Sequence, residues 1–217
     1  MVFITNNMPK NKKDTISIFK ILSLIALVWS SADAYLLVKD ESLSQLLWFC
    51  NAVVFLLAFG LYFESAIVLT AVLVGALVVQ LPWLLDFFIK LFFGHYLFGV
   101  TSYMFDYGLF NIRLYAELDH LMIIPFSIYG VKKLGLHKNG WIIGTAVAII
   151  INGGAYVFSS YKDNINCVFY SCLNQKITIS PYPFAYMVLW TALISVLMFA
   201  LNRVIYEILK RKIRTKY

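Results

Sequence analysis

Long apolar runs leave this chain few folds to choose from. Residues 18–38, 45–63, 65–89, 112–131, 141–160 and 183–206 each approach the ~20 residues that carry a helix across a bilayer core. Most are apolar on every side rather than along one stripe, which suits lipid and not the outer layer of a soluble domain. With 61% hydrophobic and 13% charged residues, no amphipathic shell remains to cover them. The expected fold is all-α: a polytopic transmembrane helical bundle of about six spans, forming a single integral membrane domain over residues 1–217. The aromatic stretch near 87–110, broken at Gly94 and Gly99, is expected to be interfacial or re-entrant rather than a seventh span.

The net charge of +7 does not point to nucleic acid, because the cations gather at the chain ends and in one short turn instead of an aromatic-interleaved patch. They act as topology signals. Placing 1–17, the turn at 132–138 and a basic tail at 207–217 inside, with the adjoining ends of the spans, puts Lys10, Lys12, Lys13, Lys20, Lys132, Lys133, Lys138, Arg203, Lys210, Arg211, Lys212, Arg214 and Lys216 on the cytoplasmic side, out of 18 lysines and arginines in all. That asymmetry predicts a multi-pass protein of the cell (inner or plasma) membrane with both termini cytoplasmic. The basic N-terminus before an apolar run has the look of a signal peptide, but SSADAYLLVKD lacks a small-residue cleavage site before its charged end, and a retained first helix is expected.

Polar residues inside the runs are the candidate functional groups, since each is costly in hydrocarbon. The segment RLYAELDHLMIIP holds most of them. As a helix it sets Arg113, Glu117 and His120 at i, i+4 and i+7 on one face, with Asp119 about 100° away. Asp33 lies toward the outer end of the first span; it is either a buried carboxylate or hydrated near the interface. Cys50 and Asn51 follow Trp48 in the second, where an inert thiol and an interhelical hydrogen bond are the plainer roles. Gln80 and Asp86 flank Pro82 at the end of the third, where the proline frees a carbonyl one turn earlier and is expected to kink the helix. Asn152 sits past the middle of the fifth, and Asn166 in the loop beyond it. His137, in the basic turn, is expected to be simply solvated. Under the inside-positive topology the others fall in the outer half, so a polar pocket opening outward is expected. Helix ends that are merely more polar account for Asp33, Asp86 and Arg113 equally well.

The chemistry open to such a pocket is narrow. No phosphate loop, nucleophile elbow, HExxH or CxxC pattern is present, and no metal or cofactor is expected, although His120 with Glu117, Asp86 or Asp33 would make a metal set if they converged. A histidine base is the better enzymatic reading, with His120 acting on Cys50 or on water and Glu117 or Asp119 orienting the ring. Cys167 and Cys172 form a C-x4-C pair that geometry alone would decide.

The order of WFCN, QLPWLLD, DHLMIIP, DNINCVF and PYPFAYMV resembles a group of uncharacterised bacterial polytopic membrane proteins, mainly over residues 45–170. More remotely it is similar to the YwaF-like six-helix proteins and the androgen-induced membrane lipid hydrolases. That resemblance implies lipid-directed hydrolysis or acyl transfer, with a second-helix threonine or cysteine and a fourth-helix histidine. Carried over, the histidine is His120 and the nucleophile position is Cys50 or Asn51; no threonine stands there, and an asparagine would leave only water activation or binding. The expected catalytic residues are thus His120, Cys50 and Glu117. The expected pocket residues are Asn51, Asp33, Gln80, Asp86, Arg113, Asp119, Asn152 and Asn166. Membrane lipids are the expected partners, nucleic acid is not, and a second copy of the chain is a candidate. A small-solute or cation carrier and a non-catalytic scaffold are the alternatives.

Overall fold

The computed structural model of the protein describes residues 12–40, 43–105, 118, 120–172 and 181–214, with side chains described over 18–39 of the first helix and up to 210 in the last. Among these residues it is all-helical, with no strand. The α-helices are α1 (Lys12–Asp40), α2 (Phe49–Tyr62), α3 (Ala66–Gly75), α4 (Leu81–Phe93), α5 (Ser102–Phe105), α6 (His120–Leu134), α7 (Gly140–Phe158) and α8 (Pro183–Arg214). Four stretches are long and apolar enough to cross a membrane: Ile18–Lys39, Ala66–Phe93, Gly140–Phe158 and Pro183–Lys210. The 14 residues of α2 rise only about 21 Å, short of a ~30 Å core. Helix α6 is described only from His120 onward, so the expected span 112–131 lies partly outside the described residues.

Helix α3 is the centre of the bundle. Every residue from Val68 to Gly75 is buried, and α3 packs on α2, α6, α7 and α8. The stretch Ala66–Phe93 is 56% buried, against 22% for the α7 and α8 spans, whose outer faces show Ile149, Ile150, Val157, Leu189 and Val196 more than half exposed. A soluble protein rarely leaves so much contiguous apolar surface uncovered, whereas lipid tails solvate it at no cost. Close packing around α3 has a sequence origin: a Cβ on Gly140 would come within 2.4 Å of the Thr70 side chain, so only glycine lets α7 start this near to α3.

Turns set the alternation of helices. The α2–α3 turn closes where Glu64 takes a left-handed φ of 49° and the Ser65 amide bonds back to the Gly60 carbonyl at 2.9 Å, the 6→1 bond of a Schellman ending. Helix α4 ends on Gly94 at φ 75°, with its amide on the Lys90 carbonyl. At the α6–α7 turn His137 is partly exposed, and its backbone is tied into the bundle. Its amide donates to Thr70 Oγ1 at 2.9 Å, its carbonyl accepts from Asn202 Nδ2 at 3.3 Å, and Asn202 Oδ1 takes the Trp141 amide at 3.1 Å. Asn202 thus fastens the turn and the first turn of α7 to α8.

Two boundaries differ from expectation for a physical reason. The second span divides at Trp48, which is extended at ψ 134° between a 3-10 turn, Leu43–Leu47, and α2. Side-chain amides replace the helix bonds there, as described below. The third span runs on as one rod to Phe93 instead of giving way to a re-entrant segment at 87. Pro82, which cannot donate to the carbonyl four residues back, is preceded by a π-turn, Ala76–Gln80, whose wider ladder takes up that mismatch.

Candidate intramembrane site at His120

The π-turn is where the most unusual side chains meet. Gln80, Trp83 and Phe87 are spaced three and four apart, so they form one stripe along the end of the rod. Against this stripe lies the start of α6. The ring of His120, 2% exposed, stacks on Trp83 with centroids 4.7 Å apart and planes 26° from parallel. Trp83 stacks in turn on Phe87 at 5.5 Å, and Phe87 meets Phe105 of α5 at 5.6 Å. Gln80 Nε2 reaches the His120 carbonyl at 3.4 Å, a long contact. The site is therefore an imidazole at the head of an aromatic column, with a carboxamide beside it. Trp83 was not among the expected site residues, although its position three after Gln80 and four before Phe87 is a signal that the sequence contains.

Asp86 does different work from a pocket residue. It is fully buried, and its carboxylate gathers the chain that follows α4. Oδ1 accepts the amides of Leu97, Phe98 and Gly99 at 2.7, 2.7 and 3.1 Å, and Oδ2 accepts the amide and hydroxyl of Thr101 at 2.9 and 2.8 Å. Five donors fill it. It is a staple that folds residues 97–101 back over the rod and brings α5 onto Phe87.

Asn51 and Asn166, expected as pocket residues, converge on the break at Trp48. Asn51 Nδ2 donates to the Gln45 carbonyl at 3.0 Å. Asn166 Oδ1 accepts the Phe49 amide and its Nδ2 donates to the Leu47 carbonyl, both at 2.7 Å, while its own carbonyl accepts Trp190 Nε1 at 2.9 Å. One asparagine so joins α2, α8 and the loop after α7. That loop holds Asn164, Asn166 and Cys167 at φ 40°, 54° and 59°, a left-handed run that asparagine tolerates better than most residues. Cys167 and Cys172 are disulfide-bonded, and Cys50, half-buried on α2, is the free thiol. Because the disulfide closes so small a ring, the double change of Cys167 and Cys172 to serine is expected to cost about 2 kcal/mol and to leave the bundle folded. A detergent melt of that variant checks this; loss of folded protein would mean that the loop needs the bond.

Asn152 is also occupied, donating to Thr191 Oγ1 of α8 at 2.9 Å. Asp33 is buried on α1. Arg113, Glu117 and Asp119 lie outside the described residues, so the face they were expected to share with His120 does too. Among the described residues no three of His, Cys, Asp and Glu come together as a metal-ligand group. An open depression of about 690 Å³ lies between Ser44 and Gln45 of the 3-10 turn and the stretch from Val157 to Asp163; none of the expected site residues lines it. The amides of Asn51, Asn152 and Asn166 and the carboxylate of Asp86 thus serve separate contacts that join helices and loops, and the stack of His120 on Trp83 beside Gln80 is the candidate centre. Comparison of this chain with known protein families, with curated proteins and with solved structures finds no match.

Proposed function

We propose that this is a multi-pass cell-membrane protein that acts on membrane lipids, as a hydrolase or acyltransferase, with His120 as its base. The observation that carries the proposal is the buried imidazole stacked on Trp83 beside a π-turn. An ionisable ring at membrane depth marks a functional centre by default, and single π-turns gather at such centres. In this reading His120 takes a proton from water or from the Cys50 thiol, the resulting nucleophile adds to an acyl ester, and the imidazolium returns the proton to the leaving alkoxide. With Asn51 and Asn166 engaged elsewhere, Gln80, whose contact to the His120 carbonyl is long, is the donor nearest the developing oxyanion. The resemblance to membrane lipid hydrolases points the same way. Cys50 is the cysteine outside the disulfide, so a maleimide reports on it alone: turnover lost on alkylation assigns the thiol as nucleophile, and unchanged turnover assigns water. Absence of released fatty acid or transferred acyl chain from the full chain in liposomes of every common phospholipid class overturns the reading. It leaves the scaffold, which the occupied amides favour. Asp86, with its five donors, supports a cation carrier less.

Orientation rests on two unrelated features. The disulfide loop packs at the start of α2, and a structural disulfide belongs on the oxidising side. The opposite end carries Lys132, Lys133, Lys138 and Arg203 around the Thr70–His137–Asn202 contacts, as expected of a cytoplasmic face. A cysteine introduced by Lys138→Cys is expected to react with a membrane-impermeant maleimide only after cells are opened; labelling in sealed cells would reverse the topology.

A further inference from the structure

The depression beside Asp163 has a chemistry of its own, separate from His120. On one side of it, Ser159 and Ser160 have used their hydroxyl hydrogens. Ser159 Oγ donates to the Ala155 carbonyl at 2.6 Å, and Ser160 Oγ donates to Asp163 Oδ2 at 2.8 Å, as does the Ser160 amide at 3.1 Å. Both bonds fall on Oδ2, so Asp163 Oδ1 and the two hydroxyl oxygens present lone pairs, with a negative charge among them. This side fits a positively charged donor with several N–H bonds, while Gln45 across the depression, whose Oε1 accepts Trp48 Nε1 at 2.7 Å, offers its Nε2 hydrogens to an acceptor such as a phosphate. A further side of the depression is apolar: Val157 and Phe158, 68% and 73% exposed, are the last turn of a membrane-length helix and so stand where acyl chains begin. Charge, donor count and position together describe one ligand.

We propose that this depression binds a primary ammonium group, that of an ethanolamine-type phospholipid headgroup, with its acyl chains along Val157 and Phe158. Lys162, exposed in the same turn, carries the charge that suits the lipid phosphate. A choline headgroup has the same charge and phosphate but no N–H to give, which makes it the control. The test uses the full chain in nanodiscs of equal phosphatidylethanolamine and phosphatidylcholine, followed by detergent extraction and native mass spectrometry of retained lipid. Wild type is expected to retain the ethanolamine lipid about tenfold over the choline lipid, the scale of one or two charge-assisted hydrogen bonds. Asp163→Asn, which keeps an acceptor for Ser160, is expected to remove the preference, as is Val157→Trp, which fills the depression from its lipid side. Should the first variant fail to fold, the second decides alone. Equal retention by wild type, or a preference untouched by Val157→Trp, overturns the proposal. Equal uptake of soluble phosphoethanolamine without lipid preference keeps the ammonium and overturns its lipid source.

Discussion

Asp86→Ala is expected to lower the stability of the fold by about 3–5 kcal/mol, since hydrogen bonds to a charged group contribute ~1.5–3 kcal/mol each and their loss strands the donors. Five donors converge on a carboxylate with no solvent exposure. The simple sum is larger, but Leu97 is half exposed and water reaches part of that loop once it loosens. Asp86→Asn keeps one oxygen and turns the other into a donor facing donors, so about half the loss is expected there. The same variants should make residues 94–101 sensitive to protease, because Asp86 is what folds this stretch onto α4. Melting and denaturant titration in detergent measure the first effect, and limited proteolysis the second. A wild-type melt for Asp86→Ala would show that the carboxylate does not hold the loop.

The second large effect is expected at Asn166. Alanine there removes one buried and one partly buried hydrogen bond to the Trp48 break and places a Cβ residue at φ 54° without the side chain that eases it, which together should cost about 2–4 kcal/mol. Asn166→Gly separates the two causes. It relieves the backbone and restores none of the bonds, so it should recover about 1 kcal/mol of the loss. Asn166→Asp keeps the acceptor for the Phe49 amide but sets a carboxylate oxygen against the Leu47 carbonyl, and should behave nearer to alanine. If all three melt together with wild type, the join between α2, α8 and the loop is made by the apolar cluster of Ile165, Val168, Phe169 and Met187 and not by Asn166.

These two residues also show what the sequence made readable and what it did not. Apolar length places the helices well, because burial in lipid depends on composition over twenty residues and hardly on any one of them. The break at Trp48 was hidden, since the group that replaces its helix bonds is Asn166, 117 residues away in sequence. The third span was expected to run through Pro82 to 89, but the turn that accommodates the proline, Ala76–Gln80, was hidden for a local reason: a π-turn leaves no compositional trace. Which polar residues fall within the helices was readable, but not the direction in which each one turns. Placement within an apolar run follows from hydropathy, whereas Asp86 turning into its own loop and Asn152 turning to Thr191 follow from packing. The hold of Thr70 and Asn202 on the His137 backbone was unreadable for the same reason. His120 was legible because its cost in hydrocarbon does not depend on direction.

The central claim is that His120 is present for chemistry while the asparagines and Asp86 are present for the fold. His120→Phe tests it most directly, because phenylalanine keeps the ring that stacks on Trp83 and removes both nitrogens. The variant and wild type, reconstituted in the same phospholipid liposomes, are to be measured side by side for melting and for released or transferred acyl chains. The expected result is a loss of stability smaller than that of Asp86→Ala, because the stacked ring is kept, with lipid turnover reduced to background. Turnover at the wild-type level in His120→Phe would contradict the account, and so would a melt lowered as far as that of Asp86→Ala.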